Sequence, residues 1–129
     1  LEEHKAFAAN YKIENIQLDD VAKNLLDTLR PHIQALGADV VELPNDRSVI
    51  YRVFDFFLEI IPRKQRLSLL LNIDFSECED PSENVRDATE YAFITGATEI
   101  GGVIFNLDSE VGMPQAIDLI RQAYERAVD

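Results

Sequence analysis

An α+β fold of two layers, a mainly antiparallel sheet of about four to five strands with helices on one face, is predicted by three observations. Two apolar runs, 49–61 and 67–73, flank a short basic turn and alternate in phase with one another. The stretch from Leu18 to Leu36 keeps helical spacing, and a second such stretch follows Pro114. The predicted order is α-β-β-β-β-α-β-α.

The first helix rests on Leu18, Val21, Ala22, Leu25, Leu26, Leu29, Ile33 and Leu36, which recur at three- and four-residue intervals. Asp19 or Asp20 supplies an N-cap, and Gly37 suits a left-handed stop. Pro31 removes one backbone hydrogen bond, so a kink or short break is expected near Leu29. Val40 to Glu42 then reads as a short strand, and the Pro-Asn-Asp run at 44–46 as a turn.

The next strands are expected at 49–54, 56–61 and 66–73. If Pro62 to Gln65 form a four-residue loop, Ile61 stands opposite Arg66, Ile60 opposite Leu67 and Leu58 opposite Leu69. Side chains alternate with period two, so Phe56, Leu58 and Ile60 share the core face with Leu67, Leu69 and Leu71. Phe57, Glu59 and Ile61 fall on the other face with Ser68 and Leu70. A second helix is expected from Asp80, because Asp80 as cap, Pro81 at the first helical position and Glu83 at the third match a capping box. Residues 94–102 read as a loop and 103–107 as a last strand. The closing helix presents Ile117, Ile120, Tyr124 and Ala127 on one face.

Residues 1–17 show no sustained period and are expected to form a linker or N-terminal arm. Residues 18–129 are expected to form one domain, a piece of a longer protein, because the 129-residue sequence opens on Leu1 without an initiator Met. A single cysteine, Cys78, leaves no disulfide framework and suits a reducing, cytoplasmic setting. No window approaches the roughly 20 apolar residues of a membrane span.

A formal charge of −12 repels nucleic acid and anionic membrane as a whole. Its distribution is uneven. Between Arg47 and Arg66 five basic residues face two acidic ones, whereas from Asp74 to Glu99 eight acidic residues face only Arg86. The usual meaning of such runs is a solvated surface.

Nucleophilic catalysis needs a base beside the nucleophile, and the only histidines are His4 in the arm and His32 on the first helix. His32 reads as a surface residue. Cys78 lies among Glu77, Glu79 and Asp80, whose charge disfavours a thiolate. The glycines at 96, 101 and 102 lack the spacing of a phosphate loop. The carboxylates Asp74, Glu77, Glu79, Asp80 and Glu83 lack the glycine and terminal Glu of a calcium loop, and capping already accounts for two of them. No catalytic residue, metal or cofactor is expected.

Two surfaces remain. The basic turn Arg63, Lys64 and Arg66, joined by Arg52, is the candidate anion-binding set, since phosphates are contacted by such side chains. The alternative is that these residues balance neighbouring carboxylates. Phe57, Ile61 and Leu70 are the candidate interface, because contiguous apolar surface marks contact sites. An N-terminal domain of the parent protein, or a second copy of the chain, is the expected partner there. The other reading is that the arm or another strand covers them.

The order Tyr51-Arg52-Val53-Phe54, then FFLEIIPRKQRLSLLLNID at 56–74, DPSENVRDAT at 80–89 and AIDLIRQAYERA at 116–127, resembles a domain of unknown function. It closes bacterial and archaeal proteins catalogued as "predicted transport proteins". The likeness runs from Leu18 to Ala127. Several such proteins carry this domain behind a nuclease-like module or beside DNA restriction enzymes, so the resemblance implies a non-catalytic accessory module of a larger cytoplasmic protein. Family members usually have a Gly-His-Trp-Gly loop after an arginine–aspartate helix. Here Phe93-Ile94-Thr95-Gly96 stand in that region, and the chain has no Trp.

Overall fold

The computed structural model describes residues 16–74, 76, 85–87 and 102–128. The elements are α1 (Asp20–Gln34), β1 (Val41–Pro44), β2 (Val49–Arg52), β3 (Phe56–Arg63), β4 (Arg66–Leu71), β5 (Val85–Asp87), β6 (Val103–Leu107), a 3-10 turn (Glu110–Gly112) and α2 (Met113–Val128). The six strands form one sheet in the order β1-β2-β3-β4-β6-β5, with every neighbouring pair antiparallel. Both helices contribute to a core cluster with one face of that sheet, so the α+β class holds with one strand more than expected.

α1 starts where the sequence places it: the Asp19 carboxylate accepts from the Ala22 N–H at 2.8 Å. It runs unbroken through Pro31 to Gln34, with no interruption near Leu29. A proline in the last turn removes a bond that sits close to the fraying end of the ladder, and the Ala35 N–H still reaches the Pro31 carbonyl at 3.0 Å. Gly37 is not the left-handed stop. Its constraint is space, because an added Cβ would collide with the Tyr124 hydroxyl on α2. Ala22, Leu25, Leu26, Leu29 and Ile33 are buried, and Ile16, placed in the arm by the sequence, joins the same core. On α2 the stripe is rotated from the expected one. Met113, Ala116, Leu119, Ile120 and Ala123 are buried, and Ile117, Tyr124 and Ala127 flank them.

The β3–β4 hairpin departs from the expected register by two residues: Arg63 stands opposite Arg66, Ile60 opposite Leu69 and Leu58 opposite Leu71. The connection is the two-residue turn Lys64–Gln65, not a four-residue loop. An even slip keeps every side chain on its face, which is why Leu58, Ile60, Leu67, Leu69 and Leu71 still reach the core. Pro62 is therefore inside β3. The pair next to a two-residue turn is the hydrogen-bonded one, so Pro62 falls in the neighbouring non-bonded pair, where its missing N–H costs β4 nothing.

A bulge between β2 and β3 corrects the placement of Phe57. Tyr51 pairs with Leu58 and Arg52 with Phe56, leaving Phe57 as the extra residue. Phe57 turns inward beside Leu58 and is fully buried in the main core, so it is not part of an outer interface. Phe56, expected in the core, is half-buried and paired with exposed Arg52. β2 ends at Arg52, and Phe54 stands 84 % exposed in the loop that follows.

β5 is a second correction. Val85, Arg86 and Asp87 pair with Phe105, Ile104 and Val103 as an edge strand, where the sequence predicts the body of a helix. The capping residues Asp80, Pro81 and Glu83, the carboxylates Glu77 and Glu79, Cys78, His4 and the 94–101 loop lie outside the described residues. His32 is exposed, as read from the sequence. Among the described residues no helix is long and apolar enough to cross a membrane.

Candidate functional site

The sheet has a core face and an outer face, and alternation assigns each residue. One cross-strand row on the outer face runs Leu43, Ile50, Glu59, Leu70, Ile104, Arg86 across all six strands. The next row holds Ile61, Ser68 and Asn106, and the hairpin ends with Arg63 opposite Arg66. Leu70, Ile61 and Ile104 form a small apolar cluster separate from the core. Leu70 is itself buried, so of the three expected interface residues only Ile61 offers partial exposure, and Ile104 joins it.

Polar side chains line the same face. Ser48 donates to the buried Glu59 carboxylate at 2.8 Å and receives a bond from the Asn45 amide at 3.0 Å. Ser68 donates to Asn106 Oδ1 at 2.9 Å, and Arg63 Nε reaches the Ser68 hydroxyl at 3.4 Å. The Arg63 guanidinium is thus aimed along the face from the hairpin end.

Of the expected anion-binding residues, the structure brings together Arg63, Lys64 and Arg66. Arg52 is not with them. It sits opposite Phe56 at the far end of β3, roughly 20 Å away at the ordinary strand rise. Arg86, on the outer row of β5, is a further basic residue of this face that no local sequence pattern linked to the turn.

Cations on the two layers differ in their partners. On the helices Lys23 pairs with Asp27, Arg30 with Glu42, and Arg121 with both Asp118 and Glu125, at 2.6–2.8 Å, while Arg126 has no ion pair among the described residues; between β1 and β2 Arg47 reaches Asp46 at 3.7 Å. Arg121 is the main reason the Asp118 carboxyl lies below its usual range. On the sheet side Arg52, Arg63, Lys64, Arg66 and Arg86 make no ion pair among the described residues. Among the described residues the one carboxylate shown to feel the turn's charge is Asp19, whose pKa is lowered mainly by its Ala22 N–H bond and to a lesser extent by Lys64, without an ion pair between them.

The turn itself is held in shape. Asp19 caps α1 through one carboxylate oxygen and accepts the Gln65 N–H through the other, across 46 residues of sequence. These two backbone N–H groups, Ala22 first and Gln65 second, hold the Asp19 carboxyl below the ordinary aspartate range. Gln65 has φ of 60°, whereas Lys64 does not share the left-handed region, so this is not the turn in which both central residues are left-handed. An open groove of about 660 Å³ lies beside it, lined by Ile16, Gln17, Leu18, Asp19, Pro62, Arg63 and Lys64.

The Asp19 clamp has a pH consequence. A carboxyl whose folded pKa is depressed adds stability above its unfolded pKa, ordinarily near 3.8, and loses it as pH falls through the folded value. Asp19→Ala should therefore have a lower urea midpoint than wild type at neutral pH. That difference should shrink as acid carries the solution below the aspartate range. A gap that stays constant to the lowest pH would show that the carboxylate charge plays no part in the clamp.

Sequence reasoning missed a second polar assembly, on the core side of the sheet edge. Glu42 of β1 accepts two bonds from Arg30, at 3.0 and 2.8 Å, and one from the Tyr51 hydroxyl at 2.6 Å. Burial, then the Glu42 carboxylate, push the Tyr51 phenol far above its ordinary pKa, so it remains a donor. Each residue is unremarkable in sequence, and only the fold brings α1, β1 and β2 to one point. Every partner in this network is satisfied by another, which marks it as a staple for the edge strand.

Among the described residues no group of three or more His, Cys, Asp or Glu side chains is placed to hold a metal ion. The chain has no match among family models, curated proteins or solved structures.

Proposed function

We propose that this chain is a non-catalytic recognition module, an accessory domain of a larger cytoplasmic protein of the nuclease-like or restriction-associated kind, which engages its partner through the outer face of the sheet. The observation that carries this reading is the difference between the layers. Three of the four helix Lys and Arg residues, Lys23, Arg30 and Arg121, are in ion pairs, while Arg63, Lys64, Arg66 and Arg86 on the sheet side make none among the described residues and border the face that holds the half-exposed Ile61 and Ile104. Interfaces combine such an apolar centre with a charged rim, and arginine is enriched in them. The sequence resemblance to accessory domains supports the same reading. The partner is the N-terminal part of the parent protein or a second copy of this chain.

Hydroxyl-radical footprinting tests this on the full-length gene product beside the isolated chain. Phe56, Ile61 and Ile104 should be less reactive in the longer protein, with the exposed side chains of α1 unchanged. Protection that appears instead in the isolated chain as its concentration rises identifies the second copy as partner. Equal reactivity in all samples overturns the reading.

A second reading, anion or nucleic-acid binding by the turn 63–66, is favoured by one particular observation. Arg63 and Arg66 stand directly opposite one another, an arrangement in which like charges repel.

A further inference from the structure

We propose that the end of the β3–β4 hairpin is a phosphate-binding site, in which Arg63, Arg66 and Lys64 share a phosphate monoester carried on a nucleotide-type body. This rests on the anion-binding reading of the turn 63–66 and names a ligand class for it. Directly opposed residues of a hydrogen-bonded pair have Cα atoms about 5.5 Å apart, so two guanidinium groups there reach a single oxyanion. Lys64 adds a third positive charge from the turn between them.

Three features distinguish this hairpin end from a solvated basic loop. None of the three cations has an ion-pair partner among the described residues. The Asp19 carboxylate beside the turn, which feels the Lys64 charge, is bonded to the Ala22 and Gln65 N–H groups and forms no ion pair with the three cations. Those same bonds fix the turn from the side of α1, so the cations are presented by a rigid element and less ordering is needed on binding.

The adjoining groove narrows the ligand. Its lining is mixed: Ile16, Leu18 and Pro62 supply an apolar part, and Gln17, Asp19, Arg63 and Lys64 the larger polar part. A bare inorganic anion would leave that lining unused, whereas a sugar and base attached to the phosphate would cover it. The net charge of −12 argues against a long polyanion wrapped over the domain, since each added phosphate outside the hairpin end meets repulsion. A single terminal phosphate fits better, and its source is either a free nucleotide or the 5′ end of a nucleic-acid strand.

Backbone amide shifts of the chain, followed at low salt, test this with four probes: adenosine, adenosine monophosphate, and one short single-stranded DNA with and without its 5′ phosphate. Saturable shifts confined to residues 16–19 and 62–66 are expected with the two phosphate-bearing probes. Tighter binding of the phosphorylated strand than of the mononucleotide assigns the strand end as the source, and equal binding assigns the free nucleotide. The variant Arg63→Gln/Arg66→Gln should weaken binding by about tenfold or more, as loss of charge-assisted bonds implies. Lys64→Gln should weaken it less.

Adenosine binding as well as its monophosphate, or shifts that persist unchanged in the double variant, would overturn the site. So would silence at 62–66 with both phosphate probes, and in that case a footprint on Phe56, Ile61 and Ile104 would leave the recognition reading standing. The converse is also readable. Phosphate binding without any such footprint keeps the hairpin site and removes the wider interface.

Discussion

Phe57→Ala should lower the free energy of unfolding by about 3–5 kcal/mol, the ordinary loss for emptying a buried aromatic site. Phe57 has no solvent exposure, and its ring meets that of Tyr124 edge-on at 5.6 Å and 82°. The Tyr51 ring lies 6.4 Å away, tilted by 45°. Such contacts add to the area term, and the bulge leaves no second side chain able to fill the space. Phe54→Ala is the internal control. Phe54 is three residues earlier but 84 % exposed, so its loss should change stability by no more than about half a kcal/mol. Urea midpoints for the two variants decide the matter, and a small shift for Phe57→Ala would mean that the side chain faces outward after all.

That bulge also shows where the sequence stops being readable. Two adjacent phenylalanines carry no period of their own, so strict alternation assigns Phe56 inward and Phe57 outward, the reverse of what occurs. The choice depends on the pairing of Tyr51 with Leu58 and Arg52 with Phe56, which is a property of two strands together. By contrast α1 was legible because its spacing and its Asp19 cap are local, and the faces of β3 and β4 survived a register error because the error was even. β5 was not legible. Its three residues follow a strong helix-start signal and are strand only because β6 offers them an edge.

The same division applies to the candidate site. Arg63, Lys64 and Arg66 were found together since a tight turn keeps sequence neighbours adjacent. Arg52 was misassigned to them because sequence distance hides the length of β3 that separates them. Arg86 could be placed on this face only through the strand order β4-β6-β5, and the union of Arg30, Glu42 and Tyr51 needed three elements to meet. The second role of Asp19, bonding to Gln65, was likewise invisible, although its first role as a cap was not.

Leu69→Ala should cost about 2–5 kcal/mol, while Ser68→Ala, one residue earlier, should cost about 0.5–1.5 kcal/mol. Leu69 stands at the middle of the sheet between Ile60 of β3 and Phe105 of β6, all three in the core cluster beneath the helices. Its truncation opens a cavity in the layer where α1 meets β4, and buried neighbours on every side limit collapse. Ser68 is also buried, at 2 % exposure, but on the outer face. Replacing it forfeits a hydroxyl bond to Asn106, whose carbonyl oxygen belongs to an exposed side chain and can turn to water. Burial alone would rank these two residues together; the face they occupy separates them. Both variants should unfold with the wild-type denaturant slope, so that the midpoints compare directly. Equal midpoint shifts, or a larger one for Ser68→Ala, would contradict Leu69 facing the helices, and the facing described for β4 would have to be abandoned.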